Sequence, residues 1–218
     1  MEKLSNLEPQ IVWNIFEQMC AHPRPSKHEE KVSAWIQQLA KDHNVECKED
    51  SVGNLILRKS ATAGMEDRKG VVLQAHMDMV PQKNSDTEHD FITDPIDAYV
   101  DGEWVTARGT TLGADNGIGL AASLAVICSD DIEHGPLEVL VTIDEEAGMT
   151  GAFGLEAGWL EGEIVLNKDS ADEGEVYMVC AGGISTPVCF HIERADTPTE
   201  HKTFAIPHSA HTSGDAEC

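Results

Sequence analysis

His76 and Asp78 stand two positions apart at the end of a largely apolar run, Val71-Val72-Leu73-Gln74-Ala75. Residues at i and i+2 of a strand share a face, so Asp78 can accept the proton on one imidazole nitrogen and leave the other free to bind a metal. A polar strand end in water is the plainer alternative for so short a motif, and the residues downstream shift the balance. A second apolar run, Leu137 to Ile143, stops at Asp144-Glu145-Glu146. Successive acids where a buried strand ends raise one another's pKa unless a cation sits among them; a solvent-exposed loop is the other reading. A third run, Glu163 to Leu166, ends in Asn167-Lys168-Asp169. Asp115 stands just before an apolar helix, where an N-cap is its ordinary role. One histidine with several carboxylates suits zinc, manganese or cobalt with mixed nitrogen and oxygen ligation. The carboxylates exceed what one tetrahedral ion needs, which points to two ions bridged by a shared aspartate. A carboxylate beside the ligands, itself unbound, can then act as general base.

These groups need elements to carry them. The apolar runs at 71–77, 137–143 and 163–166 read as strands of an α/β sheet, with 54–58 and 104–107 as further strands. In open α/β sheets ligands gather beyond the carboxyl ends of strands. Leu120 to Cys128 is apolar nearly all round and reads as a buried helix. Residues 8–21 form a first helix, opened by Pro9, with Ile11, Val12, Ile15, Phe16 and Met19 as one stripe. His22-Pro23-Arg24-Pro25 breaks it. Ser26-Lys27-His28-Glu29 has the form of a capping box, so a second helix is expected from Ser26, with Val32, Trp35, Ile36, Leu39 and Ala40 facing inward. His22, His28 and His43 are expected at the surface. Pro81 to Asp101 is expected to be a solvated loop or weak hairpin, 109–113 a tight loop, and 152–159 a short helix.

The chain has 218 residues, 41% of them hydrophobic and 5% aromatic. Its net charge is −24, from 39 acids against 15 bases. That argues against nucleic acid or an anionic membrane surface as a partner, since both demand Lys- and Arg-rich faces. No run approaches the ~18 apolar residues of a membrane span. The start, Met1-Glu2-Lys3-Leu4, lacks the form of a secretory leader. The six cysteines are scattered with no C-x-x-C, as expected of reduced thiols in the cytoplasm.

Four ordered stretches carry a family resemblance. They are Leu73 to Asn84 (LQAHMDMVPQKN), Gly109 to Gly119 (GTTLGADNGIG), Asp144 to Ala152 (DEEAGMTGA) and Leu166 to Ser170 (LNKDS). The chain resembles metallopeptidase family M20, and within it the aminoacyl-histidine (Xaa-His) dipeptidases, over about residues 5–194. The resemblance implies a three-layer zinc-exopeptidase-like α/β domain with a mixed, mostly parallel sheet. It implies two divalent ions, zinc first, with cobalt or manganese as alternatives. His76 and Asp169 would be terminal ligands of one ion, Asp115 would bridge both, and Glu146 would bind the second. Glu145 would be the general base, Asp78 would orient His76, and the Asp115–Asn116 peptide would be cis. The expected activity is hydrolysis of short peptides such as carnosine, in a cytoplasmic homodimer.

Family members are longer than this chain and carry an inserted lid or dimerisation domain. Residues 1–186 would be the first part of the catalytic domain, and 187–218 the start of that lid, truncated or frame-shifted. An inactive metal-binding fragment and a deacylase of N-acyl amino acids are the competing functions. A non-catalytic Ca²⁺ module fits worse, because His76 is an odd ligand for an oxygen-preferring ion. His201, His208 and His211 fall in a weakly patterned tail and receive no role.

Overall fold

The apolar runs become the middle of a five-stranded sheet in a computed structural model of the chain, which describes residues 4–170 together with 174 and 176–178. In chain order the elements are α1 (Gln10–Cys20), α2 (Glu30–Asp42), β1 (Glu46–Glu49), β2 (Leu55–Lys59), β3 (Val71–His76), β4 (Ala98–Asp101), β5 (Trp104–Ala107), α3 (Ala114–Cys128), β6 (Leu137–Thr142), α4 (Glu145–Gly148), α5 (Thr150–Gly154) and β7 (Ile164–Asn167). The chain divides into two units, residues 1–171 and 172–218, and every one of these elements lies in the first. Of the second, the described residues 174 and 176–178 carry no helix or strand. The expected boundary at 186/187 and the histidines of the tail lie outside the described residues. Among the described residues no helix is long and apolar enough to cross a membrane.

The sheet order is β1-β2-β6-β3-β7. β1 pairs antiparallel with β2, and β2 antiparallel with β6, whereas β3 runs parallel to both β6 and β7. The sheet is mixed, as expected. The three strands that end in acid or histidine are mutually parallel, so their carboxyl ends share one edge. The register sharpens this. His76 pairs with Thr142, two residues before Asp144, and Gln74 pairs with Asn167, two residues before Asp169.

Alternation within the strands sorts their side chains between the faces. Leu55, Leu57, Leu73, Ala75, Val139 and Val141 point into one core with Phe16, Met19, Leu120, Leu124 and Ile127 of the helices. Truncating a fully buried ring such as Phe16 to alanine costs about 3–5 kcal/mol. β6, buried at every position, is the innermost strand. Its one acid, Glu138, is satisfied by Arg58 Nε at 2.8 Å and by the N–H groups of Glu161 and Gly162 at 2.9 and 2.8 Å. Leu140 faces the other side, where it lines a cavity with Met149, Ala152 and Leu155 from the α4–α5 region.

Several expectations shift. α1 opens after Pro9 and buries Ile15, Phe16, Met19 and Cys20, but Ile11 at the edge of the stripe is exposed. α2 begins at Glu30, not Ser26, and its N-cap Glu29 makes no side-chain cap bond. The capping box does not form because Ser26 and Glu29 bond elsewhere. The helix expected at 152–159 is replaced by α4 and α5, which straddle Met149 in the left-handed region at φ 52°. Within 81–101 the last four residues form β4, which pairs with β5 as a hairpin. β1, too short and too charged to show an apolar pattern, was not expected at all.

Candidate metal centre

His76 ends β3 and is 1% exposed. Its Nδ1–H donates to Asp78 Oδ1 at 3.1 Å, and its Nε2 lies 3.2 Å from Asp115 Oδ1. Both ring nitrogens face carboxylates, Nδ1 the buried Asp78 and Nε2 the more exposed Asp115, so loss of the Nε2 proton would free its lone pair as the ligand atom while Nδ1–H stays on Asp78. The same Nε2 lies 3.8 Å from Asp169 Oδ1 and 4.0 Å from Glu145 Oε2.

Asp78 is fully buried and accepts four hydrogen bonds. Besides His76, they come from the Ser26 hydroxyl at 2.7 Å and from the N–H groups of Glu145 and Glu146 at 3.0 and 3.2 Å. Burial works against the Asp78 charge, but these donors outweigh it and hold its pKa below the usual carboxylate range. One side chain therefore fixes the imidazole and the start of α4 together.

The turn from β6 into α4 rests on Asp144, in the left-handed region at φ 49°. Its N–H donates to Glu29 Oε1 at 3.0 Å, an oxygen that also accepts the Lys27 N–H at 2.9 Å. The Thr150 hydroxyl donates to Asp144 Oδ2. Asn54, wholly buried, braces the same corner by donating to Gly151 O at 2.9 Å and accepting the Ile143 N–H at 3.2 Å. A Cβ on Gly151 would overlap the Asn54 side chain and press on the Ile143 backbone, so glycine is required there.

Asp115 precedes the regular part of α3. It and Asn116 have non-helical dihedrals, and the peptide between them is cis, as the resemblance implied. Asp115 is not an N-cap: no side-chain cap bond forms at this helix start, and the carboxylate turns to His76 instead. Asn116 Nδ2 donates to Lys168 O at 3.1 Å and to Asp169 Oδ1 at 2.6 Å, tying α3 to the end of β7.

The donor set suits a cation. Ligand atoms of His76, Asp115 and Glu146 lie within 4.8 Å of one another, and so do those of His76, Glu145 and Asp169. Among the described residues the only ion-pair partner of these carboxylates is His76. Burial first, then neighbouring acids, raises Glu145, and the same causes push Glu146 up to about 7. Asp169 is raised by burial, while Asp115 is held low chiefly by its hydrogen bond with His76. Burial alone would lower His76, but its bonds to Asp115 and Asp78 outweigh burial and lift it to about 10. An imidazole nitrogen with carboxylate oxygens is the mixed donor set of zinc, manganese or cobalt, and the residues fit such an ion.

All six residues singled out in the sequence converge here. His22, His28 and His43 stand apart from both ligand groups. Arg24, Ser26, Glu29, Asn54 and Asn116 were missed as supports. The signal available for the first two was an arginine between prolines, Pro23-Arg24-Pro25-Ser26, too rigid for a helix; that Pro23 to Pro25 are buried only the structure shows. A cavity of about 200 Å³ adjoins the cluster, lined by Gln74, Thr142, Glu145, Met149, Asn167 and Asp169 among others.

The profile of peptidase family M20/M25/M40 matches residues 72–206. The cytosol non-specific dipeptidase of Escherichia coli (strain K12) is 56% identical over 206 residues, covering 94% of this chain and 42% of that protein. The crystal structure of aminoacylhistidine dipeptidase from Vibrio alginolyticus superposes with a TM-score of 0.80 at 61% identity, over 82% of this chain and 36% of that one. A tripeptidase from Staphylococcus aureus, at 23% identity and a TM-score of 0.63 over 76% of this chain and 44% of its own, shares the fold. The chain thus spans less than half the length of each of these relatives.

Proposed function

We propose, from the premise that this chain belongs to peptidase family M20/M25/M40, that it carries the metal-binding part of a dipeptidase. The observation behind this reading is the convergence of His76, Asp115, Glu145, Glu146 and Asp169 at one sheet edge. His76 and Asp169 would hold one divalent ion and Glu146 a second, with Asp115 placed to serve both. Glu145 also falls within ligand distance of His76 and Asp169, but its raised pKa and lack of any firm partner suit a proton carrier better.

When bound, the ions acidify water and polarise the scissile carbonyl. Glu145 takes a proton from the attacking water as its oxygen bonds to the carbonyl carbon. As the C–N bond breaks, Glu145 passes that proton to the departing amine, so the acid ends as it began. Burial raises the Glu145 pKa above the usual carboxylate range, the direction that suits a group which takes a proton and then gives it back. Asp78 holds the imidazole in one tautomer throughout and anchors the amides of Glu145 and Glu146.

The substrate class is short peptides with a free amino end, Xaa-His dipeptides such as carnosine among them, in keeping with the two dipeptidase relatives. Zinc is the first choice of metal, the cytoplasm the site of action, and a homodimer the state of the whole protein. Within it, residues 1–186 belong to the catalytic domain and 187–218 begin the lid. Because the chain spans 42% of the E. coli relative, a second reading is that these 218 residues bind metal without turnover. A deacylase of N-acyl amino acids is the third.

The test is Glu145→Gln, measured for zinc content and for hydrolysis of carnosine beside an N-acetyl amino acid. Metal retained with turnover lost supports Glu145 as base. Normal turnover in the variant defeats the assignment. A wild-type chain that loads zinc but cleaves nothing supports the second reading.

A further inference from the structure

Arg24 lies between α1 and α2 and is 2% exposed. Among the described residues it forms no ion pair with a carboxylate; it is held by backbone carbonyls instead. Nη1 donates to Met77 O and Asp78 O, both at 3.0 Å, and Nη2 donates to Gly113 O at 2.5 Å. Met77 and Asp78 directly follow His76, and Gly113 stands two residues before Asp115. One guanidinium thus grips both backbone segments that carry metal-facing groups. Its own main chain joins the first of them: the Met79 N–H donates to Arg24 O at 3.1 Å, Pro25 bridges in parallel to Met79, and the Ser26 hydroxyl donates to Asp78 Oδ2 at 2.7 Å.

The space around the fork is cut to size. A Cβ on Gly113 or on Gly117 would come within 2.6 Å of Arg24 Nη2. Two glycines from the Asp115 segment therefore leave the room that the guanidinium fills. A planar fork with rigidly placed donors can span two strands of backbone; the single nitrogen of lysine cannot.

We infer that Arg24, with Ser26, is a positioning residue of the metal centre: it sets the gap between the His76–Asp78 strand end and the Asp115 turn. This rests on the metal reading above. Ligand constellations tolerate errors of only about 0.5 Å, and supporting residues commonly change metal affinity by about 10–100-fold. Arg24 bonds backbone carbonyls and belongs to neither ligand group, so its effect passes through ligand geometry.

The experiment loads the full chain with cobalt(II) and compares wild type with Arg24→Lys and Ser26→Ala. It reads affinity by chelator competition, the visible spectrum of the bound ion, and the melting midpoint without metal. The expected result is cobalt binding weakened about 10–100-fold in Arg24→Lys, with an altered spectrum, and a smaller change of the same kind in Ser26→Ala. If Arg24→Lys does not fold, Ser26→Ala decides. Variants that melt earlier but keep wild-type affinity and spectrum overturn the inference, because Arg24 would then serve the fold alone. A wild-type chain that takes up no cobalt sinks the metal reading itself, and the inference with it.

Discussion

Asp78 Oδ1 accepts hydrogen bonds from His76 Nδ1 and from the Glu145 N–H, at 3.1 and 3.0 Å. A single carboxylate oxygen thus links the ends of two parallel strands and sets the distance between the expected ligand and the expected base. Its other oxygen does the same for Ser26 and Glu146.

Replacing that node should be costly twice over. Asp78→Ala leaves buried donors without acceptors, and breaking a buried ionic pair on one side costs about 3–5 kcal/mol. Urea denaturation of the metal-free chain measures this loss. Zinc affinity should fall as well, by about 10–100-fold, because the imidazole loses its orienting partner. Unchanged affinity would show that Asp78 serves only the fold.

Metal uptake should release protons. In the metal-free chain His76 stays protonated up to about 10 and Glu146 up to about 7, and a metal needs both deprotonated. Affinity should therefore rise with pH across 6 to 8, and calorimetry in buffers of different ionisation enthalpy should report roughly one to two protons released at pH 7. A pH-independent affinity would contradict this.

Stability of the metal-free chain should fall as pH rises. The His76 pKa is raised on folding, so its contribution is fully present below about 6.5 and is lost as pH climbs through about 10. Glu146 is a carboxyl whose pKa is also raised, so its charge becomes a penalty as pH rises from 4.5 to about 7. Both slopes have the same sign. Saturating zinc should flatten them and raise the melting midpoint by mass action; thermal melts at pH 6 and pH 9, with and without zinc, check this.

Gly119→Ala should disturb the site from a distance. A Cβ there would overlap the Asn116 side chain and come within 2.5 Å of Lys168 O. Overpacking of this kind costs about 1–3 kcal/mol, and it would push the Asn116 bridge to Asp169 apart. Reduced stability together with weaker metal binding is expected; a silent variant would mean that α3 and β7 separate freely.

Native-state alkylation should spare Cys20 and Cys128. Both are buried free thiols, and burial pushes each pKa up to about 11. At pH 8 roughly one thiol in a thousand would be the reactive thiolate. Peptide mapping after iodoacetamide treatment should find both unlabelled until the chain is unfolded; prompt labelling would refute the burial.

Much of this architecture was legible from local pattern. Buried strands announce themselves as short apolar runs, and those ending at His76, Thr142 and Asn167 stood within a residue or two of their true bounds. The candidate residues followed, because acids at the ends of apolar runs are conspicuous in any order of assembly, while their division into ligands and base came from the family resemblance. What periodicity could not supply is partnership across distance. Ser26 and Glu29 have the spacing of a capping box, yet their side chains bond to Asp78, 52 residues on, and to Asp144, 115 residues on. Arg24 looked like part of a helix breaker until its fork met carbonyls 53 and 89 residues away. Local propensity differs by tenths of a kcal/mol between such options, whereas a buried polar group left without a partner costs about 1–3 kcal/mol. The folded chain settles that difference only once β3, α3 and β6 have come together, and their parallel alignment turns scattered acids into one site.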